Sequence, residues 1–348
     1  YLLKNKLTKG LPQVHAAIAK RNGSMPQHLM YDQVLTSSVT VGLGGSTGLE
    51  APIVVTGAAI GSNFSRKYRL SIKDRTLLLA CGVAGGIGAA FNAPIAGVLF
   101  ALEVLLLDIS ITAFIPLIIA AATGALVTKI VLHDGILLTF SLKETFDYTN
   151  VPFYALLGLL AGLASVYHMR TFLKIESLLR RLRGGIYLKV LIGGLLLAAL
   201  IYIFPSLFGE GYQSIKILAD QDPSSLMDNS LFEKFNKNSW VVLAFTIVVM
   251  FAKPLATGLT LGSGGNGGNF APALFLGAYL GYSFSAGLNM TSLIHIPVNN
   301  FTIVGMAGIL AGIYHAPLTA IFLIAEITGG YTLMIPLMLV SSISYAVS

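Results

Sequence analysis

Gly48-Leu49-Glu50-Ala51-Pro52 runs on to Gly57, Ala58 and Gly61, and 220 residues further along the chain Gly268-Asn269-Phe270-Ala271-Pro272 runs on to Gly277, Ala278 and Gly281. A second pair of matching stretches lies at an offset of 223. Phe91-Asn92-Ala93-Pro94 leads to Glu103, and Tyr314-His315-Ala316-Pro317 leads to Glu326. Internal repetition of this kind decides an architecture before any single element does. A Gly-rich break, an Ala-Pro pair and an apolar helix, twice in each half, is the pattern of a membrane protein built from two repeats whose interrupted helices meet at a substrate site.

Composition sets the solvent. Hydrophobic residues make up 55% of the 348 residues and charged residues 11%, against about 25% charged in soluble domains. So small a charged fraction does not cover a water-facing surface, and the chain reads as an all-α, polytopic integral membrane protein. The 37 glycines sit inside apolar segments, where they permit close helix packing. The single cysteine, Cys81, excludes an intrachain disulfide framework and reads as a packing residue. The chain opens at Tyr1 without a signal-peptide pattern and closes in an apolar run at Ser348, which reads as a piece of a longer protein.

The net charge of +7 does not indicate nucleic acid, because of where the charges lie. They gather in short connections: Lys4, Lys6 and Lys9; Arg66, Lys67, Arg69, Lys73 and Arg75; Arg170, Lys174, Arg180, Arg181, Arg183 and Lys189. Short basic loops mark the cytoplasmic face of a membrane protein. The longest polar stretch, about 209–238, is mixed in sign and is expected on the opposite face.

Apolar segments fall at about 34–45, 51–64, 76–107, 111–132, 151–175, 187–207, 238–260, 271–290, 300–325 and 331–348. A spanning helix needs about 20 residues. Several of these runs are shorter and stop at Gly or Pro, while others are long enough for two helices. One transmembrane domain over 1–348 is expected, its first repeat about 1–147 and its second about 148–348, joined at the polar link 143–147.

The Gly-rich breaks carry the chemistry. A helix that begins inside a membrane presents its first N–H groups and the positive end of its dipole, and that end attracts anions. Proline just inside the start has no N–H to lose. The amides of Leu49, Glu50, Asn269 and Phe270 are therefore candidate anion ligands, and Lys9-Gly10-Leu11-Pro12 marks a third such start. Packing turns are the plain alternative, and three starts, two of them repeat copies, argue against it. Glu50 is an intramembrane carboxylate, costly and so a functional residue by default. Ionised, it fills the anion's place at the helix start. Protonated, it leaves that place open, which makes a gate.

These motifs resemble the CLC family of chloride channels and proton-coupled chloride antiporters. The resemblance rests on Gly48-x-Glu50-x-Pro52, on Gly267-Gly268-x-Phe270-x-Pro272, on Phe91-Asn92-Ala93-Pro94-x-Ala96-Gly97 with Glu103, and on Ala316-Pro317-Leu318-Thr319 with Glu326-x-Thr328-x-x-Tyr331. It implies a CLC-type fold of two inverted-topology repeats with discontinuous helices, lacking here the N-terminal helices and the end of the last. It also implies a homodimer in a lipid bilayer with one anion pathway per subunit, chloride or a similar small anion as substrate, no cofactor, no nucleic-acid partner and no enzymatic activity. A bacterial inner or plasma membrane is the expected location.

The departures from the family pattern matter as much. Lys9 stands where the family usually has a serine at the central anion. It either strengthens anion binding or snorkels into the cytoplasmic vestibule. The position of the inner proton-relaying glutamate is Val104, which carries no proton and points to a channel. Glu103 and Glu326 read as structural carboxylates. Asn269 replaces the usual aliphatic residue and either adds a side-chain contact to the ion or caps the turn. The family's central tyrosine would lie beyond Ser348. The alternatives are a proton-coupled antiporter of chloride, fluoride or nitrate, using water or Lys9 as its inner route, and, from another class, a secondary transporter of an organic anion. The six histidines show no metal-ligand spacing, and Gly264–Gly268 lacks the Gly-Lys-Ser/Thr of a phosphate loop.

Overall fold

The computed structural model describes residues 10–105, 111–132, 140, 144–182, 185–220, 222–292 and 294–348. Fourteen α-helices account for most of them: α1 (Leu11–Lys20), α2 (Leu29–Gly42), α3 (Glu50–Lys67), α4 (Ile72–Phe91), α5 (Pro94–Phe100), α6 (Ile111–Leu132), α7 (Val151–Arg181), α8 (Ile186–Ile203), α9 (Tyr212–Asp220), α10 (Ser239–Gly262), α11 (Phe270–Met290), α12 (Val298–Tyr314), α13 (Pro317–Ile327) and α14 (Met334–Val347). A π-helical segment, Ala101–Leu105, extends α5. Among the described residues five helices are long and apolar enough to cross a membrane: Ile72–Phe91, Ala113–Val131, Tyr148–Arg181, Ile186–Ile203 and Ser239–Gly262. The long helices α6 and α8 keep apolar side chains exposed, among them Ile119, Ile130, Val131, Leu191 and Leu195, as a surface against hydrocarbon requires.

The described residues group into two compact units. One comprises Tyr1–Thr40, Leu49–Leu137 and Asn266–Gly268, the other Val41–Gly48, Leu138–Gly265 and Asn269–Ser348. The first is built on α3, α4, α5 and α6, with α1 laid on α3. Its core includes Ala80, Ala84, Val98, Ala101, Leu117 and Ala121. In the second, α11 and α12 pack together, and α7, α12 and α14 form a bundle. Small residues bring those backbones close: Ser344 Oγ donates to the Gly308 carbonyl at 2.7 Å, and Ser165 Oγ to that of Ala161 at 2.8 Å and Ile309 at 3.3 Å. Tyr154 stacks on Phe301 with centroids 4.1 Å apart.

The two units repeat one local design. In the first, the backbones of α3 and α4 touch at Gly57 and Gly82, where a Cβ on either glycine would overlap the other's carbonyl oxygen. In the second, α11 and α12 touch in the same way at Gly277 and Gly305. One turn away, Gly61 faces the Leu78 carbonyl and Gly281 faces that of Phe301. All four pairs keep the offsets read from the sequence. The apolar runs 76–107 and 300–325 are each broken at the Ala-Pro of the second pair of matching stretches. Asn92 ends α4 in the left-handed region at φ 51, ψ 39, and His315 ends α12 at φ 52, ψ 37. Ala93 and Ala316 then lead into Pro94 and Pro317, which open α5 and α13.

Candidate anion site

Three helices begin at Gly-rich breaks without a capping side chain. Gly10, at φ 71, precedes α1, Leu49 precedes α3 and Asn269 precedes α11, and none of the three bonds its first turn through a side chain. The helices α5, α7, α8, α12, α13 and α14 also start without a side-chain cap, so it is the Gly-rich approach that sets these three apart, while α4 and α10 are capped. Ser71 Oγ accepts from the Asp74 N–H at 3.2 Å, and Asn238 Oδ1 from the Trp240 N–H at 3.0 Å. Prolines Pro12, Pro52 and Pro272 stand in the first turns of these three helices, where a missing N–H costs nothing.

Glu50 is the first residue of α3 and only 1% exposed. A carboxylate there sits at the positive end of the helix dipole. The turn Asn266–Gly268 belongs to the same unit, and Gly268 lies so close to the start of α3 that a Cβ on it would stand 2.5 Å from Ala51 Cβ and 3.2 Å from the Ala51 nitrogen. Glycine is required by that approach. The sequence thus brings its second Gly-rich break against the head of the Glu50 helix.

In the other unit, Phe270 opens α11, buried, with its ring 5.5 Å from that of Tyr314. The Asn269 side chain does not cap the helix. It turns to α7, where its Oδ1 lies 2.7 Å from His168 Nε2 and its Nδ2 3.3 Å from Met169 Sδ. His168 is fully buried. No spacing rule singled it out, since its partner lies 101 residues away. Glu103 and Val104 both fall in the π-helical segment, an irregularity common at functional positions. Lys9 and Lys143 lie outside the described residues. Among the described residues no group of three His, Cys, Asp or Glu is placed to hold a metal ion.

The profile of the voltage gated chloride channel family, CLC, matches residues 1–348. The chain belongs to the CLC family. This CLC chain is 31% identical over 351 residues to a protein of Ralstonia nicotianae named as a ClcB-like chloride channel protein, covering 99% of the chain and 77% of that relative. It is 30% identical over 343 residues to the H+/Cl− exchange transporter ClcA of Klebsiella pneumoniae, covering 95% and 68%. Its fold is similar to the crystal structure of a CLC-type fluoride/proton antiporter (TM-score 0.78, 22% identity, 96% of this chain and 78% of that one). It is equally similar to that of a slow cyanobacterial Cl−/H+ antiporter (TM-score 0.78, 22% identity, 97% and 76%). CLC proteins are channels or transporters rather than enzymes. The apolar helices and this membership make the chain a multi-pass membrane protein that handles small anions.

Proposed function

We propose that this CLC protein carries chloride, or a small anion like it, through a pathway gated on the outer side by Glu50, and that it does so as a channel. The observation that carries the reading is a buried carboxylate at the first position of α3, the positive end of its dipole, in a chain whose inner proton-glutamate position is Val104. The anion sheds water against the backbone amides of Gly10, Leu49, Glu50, Asn269 and Phe270, with Lys9 adding its charge at the inner end. Backbone dipoles make up most of this set, because an ion held mainly by full opposite charges would not leave. The two repeats, about 1–147 and 148–348, each supply part of the ligand set. The protein works as a homodimer in a bacterial plasma membrane, one pathway per subunit.

Purified protein in liposomes, with a chloride gradient and simultaneous recording of chloride and external pH, tests this. Chloride flux without proton movement is expected. Uphill proton movement driven by chloride replaces the channel with a proton-coupled antiporter, a reading favoured by the name of the Klebsiella relative. Lys9→Ser tests the inner end: weaker chloride binding by calorimetry is expected, and unchanged affinity removes Lys9 from the ligand set.

A further inference from the structure

Ser46 stands four residues before Glu50, and Asn266 four residues before Phe270. Each lies in a turn that feeds one of the anion helices, and each is gripped in the same way. The Ser46 N–H donates to Thr260 Oγ1 on α10 at 3.0 Å. The Asn266 N–H donates to Thr40 Oγ1 on α2 at 3.0 Å. Two turns back along each gripping helix a second side chain holds the turn residue's own side chain. Lys253 Nζ donates to Ser46 Oγ at 2.9 Å, and Asn266 Nδ2 donates to Gln33 Oε1 at 2.9 Å. Thr36 Oγ1 lies 2.7 Å from Asn266 Nδ2 as well. The matching residues, Gln33 and Lys253, Thr40 and Thr260, Ser46 and Asn266, keep the 220-residue repeat offset. So do Gly44 and Gly264, both of positive φ at 93 and 122.

The repeat has therefore duplicated a clamp and crossed it. The helix of the second half holds the turn that leads to Glu50, and the helix of the first half holds the turn that leads to Asn269 and Phe270. The two clamps differ in charge. Lys253 is fully buried in an apolar helix, where a cation is expensive. It is compensated by Ser46 Oγ, by the Gly209 carbonyl at 3.1 Å and by the face of the Phe275 ring 4.6 Å away, with Glu210 as the opposing charge. Gln33 fills the corresponding place with a neutral amide, so the mechanical task does not itself need a charge. The charged version is kept on the side whose turn runs into the carboxylate.

We propose that Lys253 and Gln33 are positioning residues of this paired clamp, each fixing the turn that aims one anion helix, and that the charged clamp at Lys253 sets the placement of Glu50. The last part rests on the gate reading above. Two readouts on the full chain separate the clamp from that reading. Hydrogen exchange of peptides covering 43–49 and 263–268 reports the clamp directly. Lys253→Met should speed exchange in 43–49 by about tenfold and leave 263–268 unchanged, the size expected for losing one charge-assisted hydrogen bond from a local opening. Gln33→Leu should do the reverse, and Lys253→Arg should stay near wild type. In liposomes, Lys253→Met should lower chloride flux by about tenfold, and Ser46→Ala should lower it in a way that does not add to the first, as coupled residues do.

Unchanged exchange in 43–49, or exchange raised equally in both turns, overturns the clamp. Additive flux losses, or Lys253→Arg no better than Lys253→Met, overturn its link to Glu50. A wild-type protein that carries no chloride removes the gate reading, while the exchange result still decides the clamp. Where Lys253→Met does not fold, Ser46→Ala and Lys253→Arg decide the same two points.

Discussion

His168 Nε2 stands 2.7 Å from Asn269 Oδ1, and Asn269 Nδ2 faces Met169 Sδ. A carbonyl oxygen only accepts, so Nε2 carries the hydrogen and the imidazole is a donor to the residue that precedes α11. Both polar ends of the Asn269 side chain are committed to α7, which leaves the backbone amide as this residue's contribution to an ion. Asn269→Leu should therefore keep chloride affinity within about threefold by calorimetry. It should also lower stability by about 1–3 kcal/mol, because it strands the buried His168 N–H. His168→Leu combined with Asn269→Leu should recover much of that loss, since removing both partners is far less costly than removing one. A drop in affinity of more than about tenfold, one power of ten being about 1.4 kcal/mol, would place the side chain on the ion after all.

Glu50→Gln keeps the size of the side chain at the head of α3 and removes its charge. If the ionised carboxylate competes with the anion for the helix dipole, the substitution should raise chloride flux or abolish its dependence on pH in liposomes. Flux and pH response both equal to wild type would take the gate away from Glu50.

The glycine contacts give a stability test that is independent of transport. Gly57 and Gly277 each face a carbonyl of the neighbouring helix across a gap with no room for a methyl group. Alanine at either site forces backbones apart, at about 1–3 kcal/mol for an overpacked core position. Equal losses are expected from the two substitutions, because the repeat places them alike. Gly194, with nothing near its absent Cβ, should accept alanine without loss. Thermal unfolding of the three variants in one detergent checks the ranking.

Much of this fold was legible because its signals are local. Glycine at a close approach, proline in a first turn and a left-handed residue at a helix end state backbone requirements that the sequence displays directly. That is why the breaks at Asn92-Ala93 and His315-Ala316 and the starts at Leu49-Glu50 and Asn269-Phe270 fall where the repeat puts them. Helix ends set by tertiary contact were less visible. The apolar run near 34 marks α2, yet the helix begins at Leu29 because Asp32 and Gln33 are buried within it. Likewise α7 runs past 175 to Arg181. The polar residues around the candidate site were the least visible. His168 and Lys253 find their partners 101 and 207 residues away, and no periodicity encodes such a meeting. One signal did exist for Lys253: it is the only charged residue in the 24 of α10, and a charge alone in an apolar helix marks a functional position by default.

The two left-handed helix ends put the repeat to a test at His315. Asn92 and His315 share φ and ψ within a few degrees, a region that costs ordinary residues about 1–2 kcal/mol and that asparagine enters more readily. His315 is not held there by burial; its ring meets that of Tyr345 edge-on at 5.6 Å. His315→Asn trades that ring contact, worth about 0.5–1.5 kcal/mol, for a better left-handed residue, and should change stability little. His315→Val loses both and adds a β-branched side chain in a region it avoids, so it should cost about 1–3 kcal/mol, the range of strain stored at such positions. Unfolding of the two variants in the same detergent separates them. A valine as stable as the asparagine would mean that α12 does not need the left-handed end that Asn92 gives its counterpart.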